Sequence, residues 1–296
     1  MTKDIPSPEA VDLLKDAFDM HVHTDPGLIK RKLNDFDLAN ELLEYGMSGA
    51  VIKAHCSSTA NRAWLTNKHI GRDMLFGSIV LNHNVGGLNP YAVETELRLG
   101  GKIVWMPTIH AENHIKVFGG AGFNKNQDKT RKEEAIKGIT IVDEHGKIRE
   151  EVHQILDLIS THDACLATGH LSNTEAILLC KEALSRGVKK IQFTHPDFTT
   201  SLLPNDKQRE LAEQGVIMEK TYVSVTWGCV SADQMAESIK VVGVERCIID
   251  SDFGQPENPD PPVGLALFID TLIDRGFKKE AVKRLVNENP KYILNI

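Results

Sequence analysis

Short apolar runs alternate with longer amphipathic segments along almost the whole chain. The short runs are rich in Val, Ile and Ala, have strand length, and mostly end in a polar residue. The longer ones carry apolar residues at three- and four-residue spacing and stop at glycine. This pattern predicts strands over Ala17–His23, Gly49–His55, Met74–Leu81, Lys102–Met106, Ala164–Thr168, Lys190–Thr194, Val216–Val223 and Arg246–Ile249. It predicts helices over Asp35–Tyr45, Thr59–Lys68, Pro90–Leu99, Glu150–Ser160, Asn173–Ser185, Pro204–Gln214 and Ala232–Val242, then two closing helices, Gly264–Arg275 and Lys278–Asn289. A short opening helix is expected from Ser7-Pro8-Glu9, with Ser7 as N-cap, Pro8 in the first turn and Glu9 at the positive end of the dipole.

Strands that alternate with helices argue for a parallel sheet, and eight such units argue that it closes into a (β/α)8 barrel. The alternative, an open doubly wound sheet, lacks the Gly-x-Gly-x-x-Gly expected after the first strand. We therefore expect one α/β barrel domain over residues 1–296, interrupted after the fourth strand by an insertion, 112–149. The insertion holds Gly119-Gly120-Ala121-Gly122, then Lys125, Lys129, Arg131 and Lys132, with only Asp128 against them before Glu133. It reads either as a mobile lid that attracts an anionic substrate or as a solvated loop. A small hairpin, Ile139–Val142 with Lys147–Ile148, is expected to close it.

The formal charge of −7 gives no reason to expect a nucleic-acid partner. No stretch approaches the roughly 20 apolar residues that span a bilayer, and the first residues lack the apolar run of a signal peptide. Five scattered cysteines without a Cys-x-x-Cys read as reduced thiols. The expectation is a cytoplasmic protein acting on a small molecule, with a homo-oligomer left open.

Candidate chemistry collects at the carboxyl ends of the strands, where barrels of this kind build their sites. His21 and His23 flank one residue on the first strand, so they share a face and could both reach one metal ion. Later strand ends supply Lys53, His55, His83, His110, His170, His195, Glu219, Asp250 and Asp252. Seven of the twelve histidines fall in this set, an enrichment that a metal site would explain. Bland roles compete: His170 as a helix cap, His195 as a satisfied buried histidine, Asp252 as a turn residue. Asp250 shares the parity of Asp252, which lies nearer the mouth. Asn82–Pro90 could bind an anion at a helix start or be only a tight corner.

His21-Val22-His23 after the first strand, His170 after the fifth, His195 after the sixth and Asp252 after the eighth resemble the amidohydrolase superfamily of metal-dependent (β/α)8 hydrolases. The ending Val286–Ile296, with its Asn-Pro, resembles that superfamily's closing helix. The resemblance implies that His21, His23, His170 and Asp252 are metal ligands. It makes His195 a second-metal ligand or a hydrogen-bond donor to water and substrate. A divalent ion is implied, Zn2+ first, as one ion with a second left open. Many binuclear members carry a bridging carboxylated lysine or a glutamate at the end of the fourth strand, whereas Ile103-Val104-Trp105-Met106-Pro107 offers neither. Lys53, on the second strand, could be such a bridge, a cation gripping substrate, or a lysine snorkelling out of the barrel. His55 and His83 are candidate substrate contacts.

The mechanism expected is metal activation of water. Asp252 would take the proton and pass it on, while His195 and Lys53 stabilise charge on the substrate oxygen. The bond cleaved would be C–N, C–O or P–O in a small anionic substrate. A decarboxylase using the same ligands is one alternative, and a barrel without catalysis that serves as a binding protein is another.

Overall fold

The computed structural model describes residues 5–122 and 136–296; Lys125, Asp128, Lys129, Arg131, Lys132 and Glu133 lie outside the described residues. The strands are β1 (Phe18–Val22), β2 (Gly49–Ile52), β3 (Leu75–Phe76), β4 (Ser78–Val80), β5 (Ile103–Trp105), β6 (Cys165–Ala167), β7 (Lys190–Phe193), β8 (Ile217–Thr221) and β9 (Cys247–Asp250). All neighbouring pairs run parallel, β1-β2-β3 in one sheet and β4 through β9 in the other. β3 and β4 are two halves of one stave, so the barrel has the eight staves that the alternation predicts. The break falls at Gly77, where a Cβ would stand 2.3 Å from the Ala60 Cα. The helix Ala60–Ile70 presses on the strand there, and any side chain would push it off. β9 returns to β1 through a parallel bridge between Val22 and Phe253, with the His23 amide donating to the Phe253 carbonyl at 2.8 Å.

Two apolar layers result. Val51, Val80, Ile103, Trp105, Ile217 and Ile248 belong to one buried cluster, joined by Ile293 and Leu294 of the last helix. The alternate positions, such as Ile52, Ile79, Val104, Leu166 and Met218, pack in a second cluster with the helices. This double burial is why the strands read as continuous apolar runs.

Ser7 caps the helix Pro8–Asp12 as expected, and it also donates through Oγ to Asp270 at 2.6 Å. Elsewhere the boundaries shift. The strand expected to Val223 stops at Thr221 and turns into a short helix, Tyr222–Thr226. The hairpin after the insertion is one antiparallel bridge, Val142–Ile148, because Asp143 spends its carboxylate on the amides of His145 and Lys147 in a tight turn. The insertion is not irregular throughout: Glu112–Phe118 is helical and closed by left-handed Gly119. The closing helix changes to a π-helical turn at Arg284–Glu288 before Pro290, whose missing N–H cannot continue an α ladder. No helix among the described residues is long and apolar enough to cross a membrane.

Glu96 is fully buried on the helix Pro90–Arg98, where its carboxylate accepts from the Ser58 hydroxyl. Burial raises this carboxyl from 4.5 to about 7, against the lowering effect of Ser58 and the amides of Ala60 and Thr59. Across that window the folded protein keeps a proton that the unfolded chain has released. Stability therefore falls as pH rises from 4.5 towards 7. Glu96→Gln should remove a slope worth about 3 kcal/mol over the full window. Urea midpoints measured through that range for both proteins check this, and an unchanged slope would refute it.

Candidate metal centre

His21 and His23 turn their rings to the same side, and each Nε2 lies 3.1 Å from Asp252 Oδ1. The three residues come from opposite ends of the chain and are joined by the closure of β9 onto β1. Asp252 has a left-handed backbone, φ 53°, a conformation that costs a non-glycine residue about 1 kcal/mol or more. Its loop is held by Gly254, whose φ is 131° and whose missing Cβ would sit 1.9 Å from the His23 carbonyl oxygen. Asp250 points deeper: it groups with His21 and Glu219 and stands apart from the mouth.

The second nitrogen of each ring decides which atom faces the cavity. His23 Nδ1 is 2.9 Å from the Lys53 carbonyl, which can only accept, so His23 carries its hydrogen there. His21 Nδ1 is 3.0 Å from Glu219 Oε1, which also accepts from Gln192 at 2.7 Å. Both Nε2 atoms are then lone-pair donors facing a carboxylate oxygen. Lys53 Nζ lies 2.9 Å from His21 Nε2 and 4.3 Å from the centre of the Trp105 ring, as the cation set against them. The ammonium is fully buried, and burial first of all lowers its pKa while Asp252 and Glu219 raise it.

A second pair of imidazoles sits beside the triad. His114 Nε2 faces the Gly122 carbonyl at 3.1 Å, and its Nδ1 is 2.8 Å from His170 Nδ1. The hydrogen between them belongs to His170, so His170 Nε2 carries none. His195 Nδ1 donates to Ser201 Oγ at 3.1 Å, and the Ser201 hydroxyl donates to the His195 carbonyl at 2.8 Å. His195 Nε2 is thereby also without a hydrogen, and it stands 3.2 Å from His170 Nε2. Two lone pairs facing each other ask for a cation between them. A proton fits poorly: burial lowers His195 to about 3 and His170 well below its ordinary value. His195 has φ 27°, held by its amide donating to Glu219 Oε2 at 2.9 Å.

Burial, first among the causes, also lowers His21, His23 and His55 well below the ordinary imidazole range, reinforced by neighbouring cations. Neutral imidazoles and a carboxylate are the ligand chemistry of a divalent transition metal, and these residues fit one. Glu219, raised to about 8 mainly by burial, orients His21 from behind. That arrangement is the usual outer support of a metal-bound histidine.

Of the eleven residues singled out from strand ends, the structure gathers six at one place. His21, His23, Lys53, His170, His195 and Asp252 stand together, with His55 beside them, stacked on His23 at 4.9 Å and bonded to Thr108. His83 is exposed, and its ring holds the Lys137 carbonyl at 2.8 Å. The Asn82 turn spends its side chain on His55, Thr108 and His110. Sequence reading missed His114, which lies on the unforeseen helix, and Arg31, which lies in the loop after β1. The cavity, about 410 Å³, is lined by His23, Lys53, His55, His170, His195, Asp252 and Arg31, and also by Phe118, Phe198 and Trp227.

A parallel eight-stave barrel with ligand-type side chains at the carboxyl mouth has the fold of the amidohydrolase superfamily. The solved structures it resembles include an amidohydrolase from Pseudomonas aeruginosa, 14% identical, TM-score 0.66, covering 98% of each chain. A phosphotriesterase homology protein from Escherichia coli, with phosphate in its active site, is 12% identical with TM-score 0.57, over 95% of this chain and 99% of that one. A 2,6-dihydroxybenzoate decarboxylase complexed with 2,6-dihydroxybenzoate is 11% identical with TM-score 0.53, over 95% and 99%. The chain belongs to the family of unknown function DUF6282, whose model matches residues 16–219. No curated protein matches it.

Proposed function

We propose that this protein is a metal-dependent hydrolase that cleaves a C–N, C–O or P–O bond in a small anionic substrate. The observation that carries the reading is the convergence of His21 Nε2 and His23 Nε2 on Asp252 Oδ1, each at 3.1 Å, at the edge of a cavity of substrate size. A divalent ion held by these three would supply Lewis acidity, lowering the pKa of a water to roughly 7. Zinc suits the imidazole-rich set best. His170 and His195 form a second two-imidazole position, and their facing Nε2 atoms favour a second ion there.

Asp252 stands where it can hold the proton released from the water through the oxygen that does not face the rings, and return it to the leaving group. Lys53 and His195 line the same cavity and would hold charge that develops on the substrate oxygen.

A decarboxylase is the second reading, favoured by the cationic wall of the cavity, which would hold a carboxylate equally well. Metal-loaded protein assayed against amides, lactones and phosphate esters, and against carboxylic acids for carbon dioxide release, separates the two. Hydrolysis abolished by Asp252→Ala supports the first reading. Carbon dioxide release without any hydrolysis overturns it.

A further inference from the structure

Two arginines meet at the loop that links β1 to the helix Asp35–Glu44, and they are used very differently. Arg62 spends its guanidinium on the loop itself, donating to Asp35 through Nε at 2.8 Å and through Nη2 at 2.7 Å, and to the carbonyls of Pro26 at 3.0 Å and Asp25 at 2.8 Å. The loop is further tied by the Asp25 amide to the Leu33 carbonyl and the Lys32 amide to the Gly254 carbonyl, at 2.8 and 2.9 Å. Arg31 sits on this braced loop with only 8% of its surface exposed. Its backbone amide donates to Asp25 Oδ1 at 3.1 Å, which occupies that carboxylate oxygen. Among the described residues its guanidinium makes no hydrogen bond or ion pair, although it carries five donors; the carboxylates of Asp252, Asp25 and Glu257 act on it only from beyond ion-pair distance. It lines the cavity next to His23, Lys53 and His55, and also the small recess behind Ile29 and Cys56.

A buried guanidinium with unmet donors is costly unless a ligand completes it. The proposed chemistry does not consume it: Lys53 and His195 already serve the reacting oxygen. The same cavity has aromatic lining, with Phe198 4.9 Å from His195 and 5.8 Å from Trp227, ring centre to ring centre. We propose that Arg31 anchors an oxyanion group of the substrate that is distinct from the reacting bond. The substrate is then a small oxyanion, carboxylate or phosphate, whose flat apolar part lies against Phe118, Phe198 and Trp227. A planar bidentate fork suits either anion. The assignment rests on the hydrolase reading only for where the reacting bond lies; the grip on the anion does not need the metal.

That independence sets the test. Benzoate, phenylphosphonate and the neutral benzamide are titrated by calorimetry into zinc-loaded and chelator-treated protein, for the native chain, Arg31→Met and Arg31→Lys. We expect at least one anion to bind both forms of the native protein. Arg31→Met should weaken it at least tenfold in both, Arg31→Lys should recover part of the loss, and benzamide should respond to neither change. The anion bound more tightly identifies carboxylate or phosphate as the source. Anion binding that needs zinc and ignores Arg31→Met would overturn the proposal while leaving the metal site standing. Arg31-dependent binding in a protein that takes up no metal would uphold the anchor and overturn the hydrolase reading. Native protein that binds neither anion in either form also overturns the anchor.

Discussion

Replacing Asp252 by alanine is expected to strip the protein of its divalent ion and to lower turnover at least about 10³-fold. The side chain is the meeting point of both first-strand imidazoles, 3.1 Å from each Nε2, and among the described residues no other carboxylate pairs with both rings. Asp250 cannot substitute, because it faces His21 and Glu219 from deeper in the barrel. His21→Ala should act in the same direction for a different reason, removing one ligand while Glu219 keeps its bonds from Gln192 and the His195 amide. Metal content by elemental analysis and turnover on the best substrate of the screen check both variants. Full retention of metal and turnover in either would end the assignment.

Lys220→Met should cost about 3–5 kcal/mol of stability, the largest effect we expect outside the site. The Lys220 ammonium is completely buried and donates to Asp197, Gln208 and Ser238, each at 2.6 Å. Removing it leaves Asp197 charged, 4% exposed, and with only a 3.3 Å contact from Gln208 Nε2. Asp197 follows His195 by two residues, so the same cluster fixes the loop that presents that imidazole. The double variant Lys220→Met with Asp197→Asn should regain much of the loss, because it leaves no unpaired charge. Urea unfolding of the two variants and the native chain measures this. A single variant within 1 kcal/mol of native would show that the cluster does not matter in this way.

The barrel was legible because its strands are buried on both faces, which writes each as a compact apolar run, and because glycine stops the helices between them. The meeting of the candidate side chains was legible in part for a related reason: strand period puts His21 and His23 on one face, and the strand-end rule puts His170, His195 and Asp252 on the same list, whereas their roles as ligands came only from the resemblance. What escaped lies off the strands. Arg31 sits in a loop whose path is set by Arg62, far along the chain, and no local pattern signals that. His114 reaches His170 from a seven-residue helix inside a segment that reads as irregular. His83 follows a strand end as His55 does, yet its ring turns outward to Lys137, a matter of one 3₁₀ turn that sequence does not display. Glu219 stood among the strand-end residues without a role, and only the meeting of β1 with β8 side chains inside the barrel gives it His21 to orient.

The account stands or falls on whether the imidazoles and Asp252 hold an ion. The most direct measurement is elemental analysis of the purified chain after incubation with zinc and removal of excess metal, counted per chain and repeated on Asp252→Ala. The account predicts at least one tightly held divalent ion in the native protein and loss of that ion in the variant. A native chain that retains no zinc, or a variant that retains as much as native, would contradict it.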